Sequence, residues 1–504
     1  MKVAICSSEI YPFAKTGGLA DVAGALPKAL TGLGVETCVV MPLYKAVNRA
    51  KWGLKKTGKT VSAKMDGRDV EAAIWEAILP GAAGGAGSPG AGRPAAARAF
   101  FAEVPKYYDR DVLYGTPKGD LPDNAERFIY FSKIIPEILM AMDFQPDVIH
   151  ANDWQTGLVA LYLKTLYAGD PFFRDTGTLF TVHNLGYQGK FWALDWHLVG
   201  LGPEYFNPEG LEFYGDINIL KGGLVYSDII DTVSRTYSKE IQTPEFGYGL
   251  EGVLRKRAAD LYGIVNGIDY DEWNPETDKH LYRNYGIGDS RGKQANKKAL
   301  KEELHLAAGN KALFGIISRL ADQKGLDLIA GAIDEMMGLN LQVVVLGTGE
   351  EKYHKLLTDV ARKHPKSISV NLAFDAKLAA RIYAASDVFM MPSRYEPCGL
   401  GQLISLRYGT IPLARKTGGL ADTVKNYSPK TGRGNGFVFT DYSPKAFLKA
   451  VKAALSAYED KIGWKNLVLA AMKEDNSWDK SAREYVKLYV KAAEAARERQ
   501  EKAA

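Results

Sequence analysis

Short apolar runs, separated by longer amphipathic stretches, set the rhythm of this chain. Runs at residues 3–5, 37–41, 148–150, 179–183 and 229–233 are the length of strands buried on both faces. The stretches between them are long enough for crossover helices. The pattern therefore predicts an open parallel sheet with helices on both sides. After the segment VNGID at 265–269 the rhythm restarts, with runs at 314–317, 343–346, 368–370, 388–391 and 411–414 and a strand-turn piece at 436–439. Two α/β domains follow from this, over residues 1–262 and 263–476.

The tail, residues 477–504, reads as one long helix. Ala482, Tyr485, Tyr489 and Ala492 fall three and four apart and form a single apolar face, which the body of the N-terminal domain is expected to cover. Residues 80–98 interrupt the pattern. So much Gly, Ala and Pro buries little apolar surface, and a flexible surface excursion is expected there.

The polar clusters follow strands. HANDW at 150–154 and HNLGYQG at 183–189 each do so in the N-terminal half, and SRLADQKG at 318–325 does so in the C-terminal half. In open α/β sheets ligands bind beyond the carboxyl ends of strands, so clusters at those ends are candidate chemistry. Taken singly, each keeps a structural explanation. A strand-end His is often a hydrogen-bonded core residue, and Arg319 with Lys324 reads equally as a solvated pair.

The stretch DVFMMPSRYEPCGLGQL at 387–403 combines these features. An apolar strand runs into a turn carrying Arg394 and Glu396. Gly399 and Gly401 then let backbone N–H groups approach a ligand before a helix begins near Gln402. Such a turn suits an anion whose other end bears hydroxyl groups. The heptapeptide KTGGLAD occurs twice, at 15–21 and 416–422. Each copy has a Lys, a Gly-Gly turn and a helix start whose N–H groups are expected to be free. With the two sheet edges facing each other, the copies would flank one deep cleft.

Composition narrows the classes. The 504 residues are 46% hydrophobic and 24% charged, as in soluble globular proteins. The net charge of 64 − 59 = +5 is small for this length, which speaks against a nucleic-acid binder and allows a locally basic pocket. Cys6, Cys38 and Cys398 show neither metal-ligand spacing nor a disulfide framework. No leader or bilayer-length apolar run is read, and a cytoplasmic protein is expected. A dinucleotide fingerprint starts at Leu346-Gly347-Thr348-Gly349, but Lys352 stands where Gly or Ala is needed. The Asp109/Asp111 and Asp269/Asp271 pairs read as loop and turn chemistry rather than a Mg²⁺ site, so no metal is expected.

Together these residues resemble the bacterial glycogen synthases and the related starch synthases, glycosyltransferases of the GT-B class. The resemblance covers almost the whole chain. It rests on KTGGLADV at 15–22, HANDWQT at 150–156, TVHNLGYQG at 181–189, NGID at 266–269, SRLADQKG at 318–325, SRYEPCGLGQL at 393–403 and RKTGGLADTV at 415–424. It implies two Rossmann-like doubly wound domains facing across a cleft, with the acceptor side in the first and the nucleotide-sugar side in the second. It implies transfer of glucose from ADP-glucose to the non-reducing end of an α-1,4-glucan, with retention and with no cofactor or metal.

On that resemblance Arg319 and Lys324 clasp the diphosphate, and Cys398, Gly399, Leu400 and Gly401 form the phosphate turn. Lys15, Thr16, Gly17, Gly18 and Asp21 complete the cradle from the first domain. Glu396 holds the glucosyl ring, His183 and Asn184 contact the sugar, and Asp153 lies near the reacting centre. Tyr383 is the expected platform for adenine, with Phe374 as the second candidate. Gly401 departs from the family, whose members commonly carry a hydroxyl or amide side chain there, so one possible phosphate donor is lost. UDP-glucose or a small acceptor remains an alternative within the class. A catalytically silent carbohydrate-binding protein is the alternative outside it, and a diphosphate clamp argues against that.

Overall fold

The structure is a computed structural model and describes residues 1–81, 96–116 and 119–503. The Gly/Ala-rich excursion expected at 80–98 thus lies mostly outside the described residues, although Arg98 already begins a strand, Arg98–Glu103. The chain divides into two compact units. One comprises Met1–Val233, Ser238–Asn266 and Trp478–Ala504, the other Ser234–Tyr237 and Gly267–Ser477.

The first unit is built on nine strands. Their order is Leu261–Gly263, Ile229–Thr232, Gly177–Val182, Val148–Asn152, Lys2–Cys6, Glu36–Pro42, Arg98–Glu103, Arg68–Ile78 and Lys55–Met65. The first seven are parallel, as the apolar runs predict. The last two are not: Arg68–Ile78 runs antiparallel to both of its neighbours, so this sheet is mixed. The pair escapes the apolar-run criterion because Lys55–Met65 is an exposed edge strand with four lysines, a composition that blocks edge-to-edge association. A smaller antiparallel sheet, in the order Lys190–Phe191, Asp216–Asn218 and Glu212–Phe213, follows the strand Gly177–Val182 in the chain.

The terminal helix Trp478–Ala503 belongs to this unit, and its predicted apolar face is fully buried: Ala482, Tyr485, Tyr489 and Ala492 are each 0% exposed. The helix backbone comes so close to the sheet that a Cβ at Gly177 would lie 2.2 Å from the Ala492 carbonyl oxygen. Beneath it, His150 Nδ1 meets the Tyr489 hydroxyl at 3.0 Å and His150 Nε2 meets Thr181 Oγ1 at 2.7 Å.

The second unit holds six parallel strands in the order Ile368–Asn371, Leu341–Leu346, Ala312–Ile317, Val388–Met391, Ile411–Arg415 and Phe437–Phe439. Numbered along the chain this is 3-2-1-4-5-6, the Rossmann order, whose ligand crevice opens where the connections change direction. That switch point lies between Ala312–Ile317 and Val388–Met391, and the loops leaving them are 318–325 and 392–400. In the first unit the corresponding reversal lies between Lys2–Cys6 and Val148–Asn152. Among the described residues no helix is long and apolar enough to cross a membrane.

Candidate functional site

In the second unit the two switch-point loops are pressed together. Arg394 donates its backbone N–H to Gln323 O at 2.8 Å, and a Cβ at Gly325, where φ is +70°, would lie 2.0 Å from the Pro392 carbonyl oxygen. Glycine is required there because the position is both left-handed and contacted by backbone. This close approach brings Lys324 to Glu396, Nζ to Oε2 at 2.7 Å, and Ser393 Oγ donates to the same oxygen at 3.0 Å. Both partners are largely buried, so neither charge is well solvated and the pair holds its geometry. Arg319 is exposed on the same loop, with Nη2 3.3 Å from Gln323 Oε1.

Beyond Glu396 the chain turns through Cys398, which is buried, and Gly399, where φ is +76°. Gln402 Nε2 donates to the Cys398 and Gly399 carbonyls at 3.0 and 2.8 Å, fixing the turn from behind. The backbone N–H groups of Gly399, Leu400 and Gly401 donate to no other group among the described residues. A cation, a carboxylate and a row of N–H donors at a switch point can hold an anionic group next to a polyhydroxylated one.

In the first unit, Asp153 follows the strand Val148–Asn152 in a left-handed conformation (φ +55°). Its Oδ1 accepts the His183 N–H at 2.7 Å, and its own N–H donates to Thr181 O at 2.9 Å. Asn184 N–H also donates to this carboxyl, and burial raises its pKa to about 7 despite those bonds. Asn184 Oδ1 meanwhile accepts from Gly186 N–H at 3.0 Å, shaping the HNLG turn.

Burial lowers the pKa of His183 to about 3, so its ring is neutral. The tautomer follows from Asn152. Its Nδ2 donates to the Cys6 and His150 carbonyls, which leaves Oδ1 to accept from His183 Nε2 at 2.8 Å. Nε2 therefore carries the proton and Nδ1 is an acceptor. His150, 0% exposed and bonded at both ring nitrogens, holds the terminal helix in place.

Three expectations need correction. The N–H groups at the two KTGG turns are not free. Buried Glu9 accepts from the N–H groups of Thr16 and Gly17 and from Thr16 Oγ1 at 2.9 and 3.0 Å, so Thr16 and Gly17 serve a carboxylate already present. In the second copy, Gly419 N–H donates to the Glu396 and Pro397 carbonyls. Lys15, beside Gly18 at the start of the helix Gly18–Gly32, pairs with Asp21 at 2.6 Å and lies over the Tyr11 ring.

The ranking of the aromatic residues also reverses. Tyr383 is 5% exposed and wedged against Phe389, with ring centroids 4.9 Å apart, so it has no face to offer a base. Phe374 is 86% exposed just beyond the strand Ile368–Asn371. The third correction concerns Gly401. A Cβ there would lie 2.8 Å from the Phe389 ring, so the room of the absent side chain is taken by aromatic packing.

Sequence reasoning missed Glu9, Tyr114 and Asn152. Tyr114 OH reaches Ser8 Oγ at 2.7 Å and Glu9 Oε1 at 3.3 Å. The available signal for Glu9 was its place in the first loop after a strand, six residues before the Lys of KTGGLAD.

Comparison with known proteins gives a consistent result. Residues 2–256 match the family model described as starch synthase catalytic domain, and residues 297–466 match that for glycosyl transferases group 1. The glycogen synthase of Thermosipho melanesiensis is 49% identical over 496 residues, covering 98% of this chain and 99% of that protein. The glycogen synthase of Thermosipho africanus is 48% identical over 500 residues, covering 98% and 99%. The solved catalytic domain of starch synthase IV from Arabidopsis thaliana, bound to ADP and acarbose, is 34% identical. It superposes with a TM-score of 0.88 over 98% of this chain and 99% of that one.

Proposed function

Because the chain belongs to the glycogen and starch synthase family, glucosyltransferases of the GT-B fold, we propose that it moves glucose from ADP-glucose to the non-reducing end of an α-1,4-glucan with retention. The observation that carries this reading is the 2.7 Å contact of Lys324 with Glu396 beside the N–H row of Gly399–Gly401. The diphosphate takes Lys324 and Arg319 as counter-charges and the turn N–H groups as donors. Lys324 then divides its bonds between the phosphate and Glu396, which accepts from the glucosyl hydroxyls and offsets positive charge on the ring. Preorganised charge of this kind stabilises the departing phosphate without a metal.

In the reaction, the bond from C1 to the phosphate oxygen breaks and its electron pair leaves with ADP. The acceptor O4 bonds to C1 on the same face, and its proton passes to the departing phosphate. His183, neutral with Nδ1 as an acceptor, takes a hydrogen bond from a sugar hydroxyl. Asp153, when ionised, contributes negative charge near C1. Lys15 and Gly18 are further phosphate contacts in this reading, and Phe374 stacks on the adenine. The three cysteines, all buried thiols, suit the cytoplasm as the place of reaction.

Support for the adenine nucleotide comes from the Arabidopsis relative, described with ADP and acarbose bound. Turnover on glycogen with ADP-glucose and UDP-glucose side by side is the test. At least tenfold higher kcat/KM with ADP-glucose is expected, and equal or better use of UDP-glucose sinks the donor assignment. A glycosyl–Glu396 adduct trapped by mass spectrometry sinks the same-face displacement.

A further inference from the structure

The heptapeptide KTGGLAD is put to two different uses. In the first copy a Cβ at Gly17 would meet nothing within 4 Å, and Asp21 pairs with Lys15. In the second copy both glycines are buried and pressed onto the turn that carries Glu396. A Cβ at Gly418, where φ is +43°, would overlap the Glu396 carbonyl oxygen, and one at Gly419 would overlap the Cys398 carbonyl oxygen. Only glycine lets two backbones stand this close. The second copy therefore backs the turn instead of facing a ligand.

Its last residue, Asp422, holds a short strap. Residues Ser234–Tyr237 are part of the second unit, although the chain on either side of them, Val233 and Ser238, belongs to the first. Asp422 Oδ2 accepts the Thr236 N–H at 2.9 Å, and its Oδ1 accepts from Thr236 Oγ1 at 2.6 Å. Ser234 Oγ donates to the Pro397 carbonyl at 2.7 Å and accepts the Tyr237 N–H at 3.1 Å, which caps the helix Arg235–Glu240. Ser234 and Tyr237 are both 0% exposed, so the strap is seated at each end.

The strap and the second KTGGLAD copy converge on two consecutive carbonyls, those of Glu396 and Pro397. Gly419 divides one N–H between them, at 3.1 Å to each, whereas Ser234 gives its single hydroxyl hydrogen to Pro397 alone. A peptide unit is planar, so holding its carbonyl also aims the rest of the plane. The two planes held here lead from Glu396 to Cys398, from which the N–H row of Gly399–Gly401 continues. What grips Pro397 therefore sets the direction of both the carboxylate and the N–H donors.

We infer that Ser234, anchored by Asp422 through Thr236, is a positioning residue for glucosyl transfer: it clips the Pro397 carbonyl and so holds Glu396 and the phosphate turn in register. The inference rests on the transfer reading and adds residues that touch neither substrate. A displaced turn moves its donors away from the departing phosphate and Glu396 away from the glucosyl ring. Misplacement on the scale of 1 Å is enough to slow such a step about a hundredfold.

The test compares full-length wild type with S234A, D422A and the double variant, by steady-state kinetics and by iodoacetamide labelling of each cysteine followed by mass spectrometry. Cys398 lies in the turn at 5% exposure, whereas Cys6 and Cys38, both 0% exposed, lie in the first unit's sheet and report general unfolding. In S234A, kcat is expected to fall about tenfold to a hundredfold while the KM for glycogen stays within about twofold. Cys398 labels about tenfold faster, with Cys6 and Cys38 unchanged. D422A gives the same pattern, and because Asp422 and Thr236 are half-buried it reports even if S234A fails to fold. The double variant matches the slower single variant, since a strap already released is not released again. Wild-type kcat in both single variants, unchanged labelling of Cys398, or an equal rise at all three cysteines overturns the clip, and fully additive losses in the double variant overturn the anchoring by Asp422. Labelling needs no turnover, so failure of the transfer reading is read separately, as absence of turnover in the wild-type protein.

Discussion

Replacing Asp153 by Asn tests whether this carboxyl is held against its own stability. Burial lifts its pKa from 3.8 to about 7 in the folded chain. A folded pKa raised in this way means that the native state binds more protons than the unfolded state between those values. The carboxyl's stability contribution is therefore complete below pH 3.8 and is lost as pH rises through 7. At about 1.4 kcal/mol per pKa unit, the ionised form costs the fold roughly 4 kcal/mol at pH 8, an upper figure because the site relaxes.

Asn keeps an oxygen for the N–H groups of His183 and Asn184, so the variant retains the hydrogen bonds without the charge. The excess stability of D153N over wild type is expected to be near zero at pH 4 and about 3 kcal/mol at pH 8. That corresponds to a rise of roughly 3–5 °C in melting temperature. His150 and His183, both lowered to about 3, give the opposite slope: as pH falls below 6.5 the unfolded state takes up protons that these rings refuse. That slope is shared by both proteins and cancels in the difference. Thermal melts of wild type and D153N across pH 4–8, with initial rates at each pH, complete the assay. Wild-type kcat should climb through pH 7 as Asp153 ionises, whereas the variant should be slower and flat. An offset in melting temperature that is the same at pH 5 and pH 8, or a variant less stable at pH 8, refutes the reasoning.

Lys324→Ala and Lys15→Ala are each expected to lower kcat/KM by ~2–4 kcal/mol, about 30- to 1000-fold, through lost charge stabilisation of the leaving diphosphate; steady-state rates check both. Unchanged turnover in Lys15→Ala would remove Lys15 from the phosphate contacts. Phe374→Ala should raise the donor KM about tenfold at constant melting temperature, whereas Tyr383→Ala should instead cost about 3–5 kcal/mol of stability in denaturant melts. Gly401→Thr should destabilise by about 1–3 kcal/mol because its Cβ meets the Phe389 ring at 2.8 Å, and Phe389→Leu in the same chain should restore the loss.

The parts of the fold legible in the sequence were those in which burial dominates. Val388–Met391 was read to the residue, and the apolar face of Trp478–Ala503 was read from spacing alone, because a strand or helix face that must leave water leaves few arrangements. The hairpin Lys55–Met65 and Arg68–Ile78 was missed because an edge strand is selected for charge rather than burial, although Asp66-Gly67 at its turn (φ +49° and +74°) is a strong hairpin signal. Likewise Lys324 and Glu396 are legible as charges in switch-point loops, whereas the buried contact of Glu9 with the KTGG turn shows in the sequence only as an acid in the first loop after a strand, a place a surface acid also takes.

Tyr383 and Phe374 mark the same boundary from the other side. Both are aromatic residues near the second unit's strands, and Tyr383 is enclosed by the rings of Trp273, Phe389 and Tyr408 while Phe374 stands in solvent. Asp153, Tyr214 and Tyr248 share a property no residue list contains: each is a non-glycine residue held at positive φ. A sequence read by preference treats them as ordinary positions, yet in each case the fold overrules the preference at some cost in stability. Of the three, Asp153 carries a carboxyl that the proposed reaction uses. Six non-glycine positions among the described residues hold positive φ, with Asp66 in a hairpin turn and Asp153 in the proposed site, and wherever local preference and global fold disagree in this way sequence-level reasoning loses its warrant.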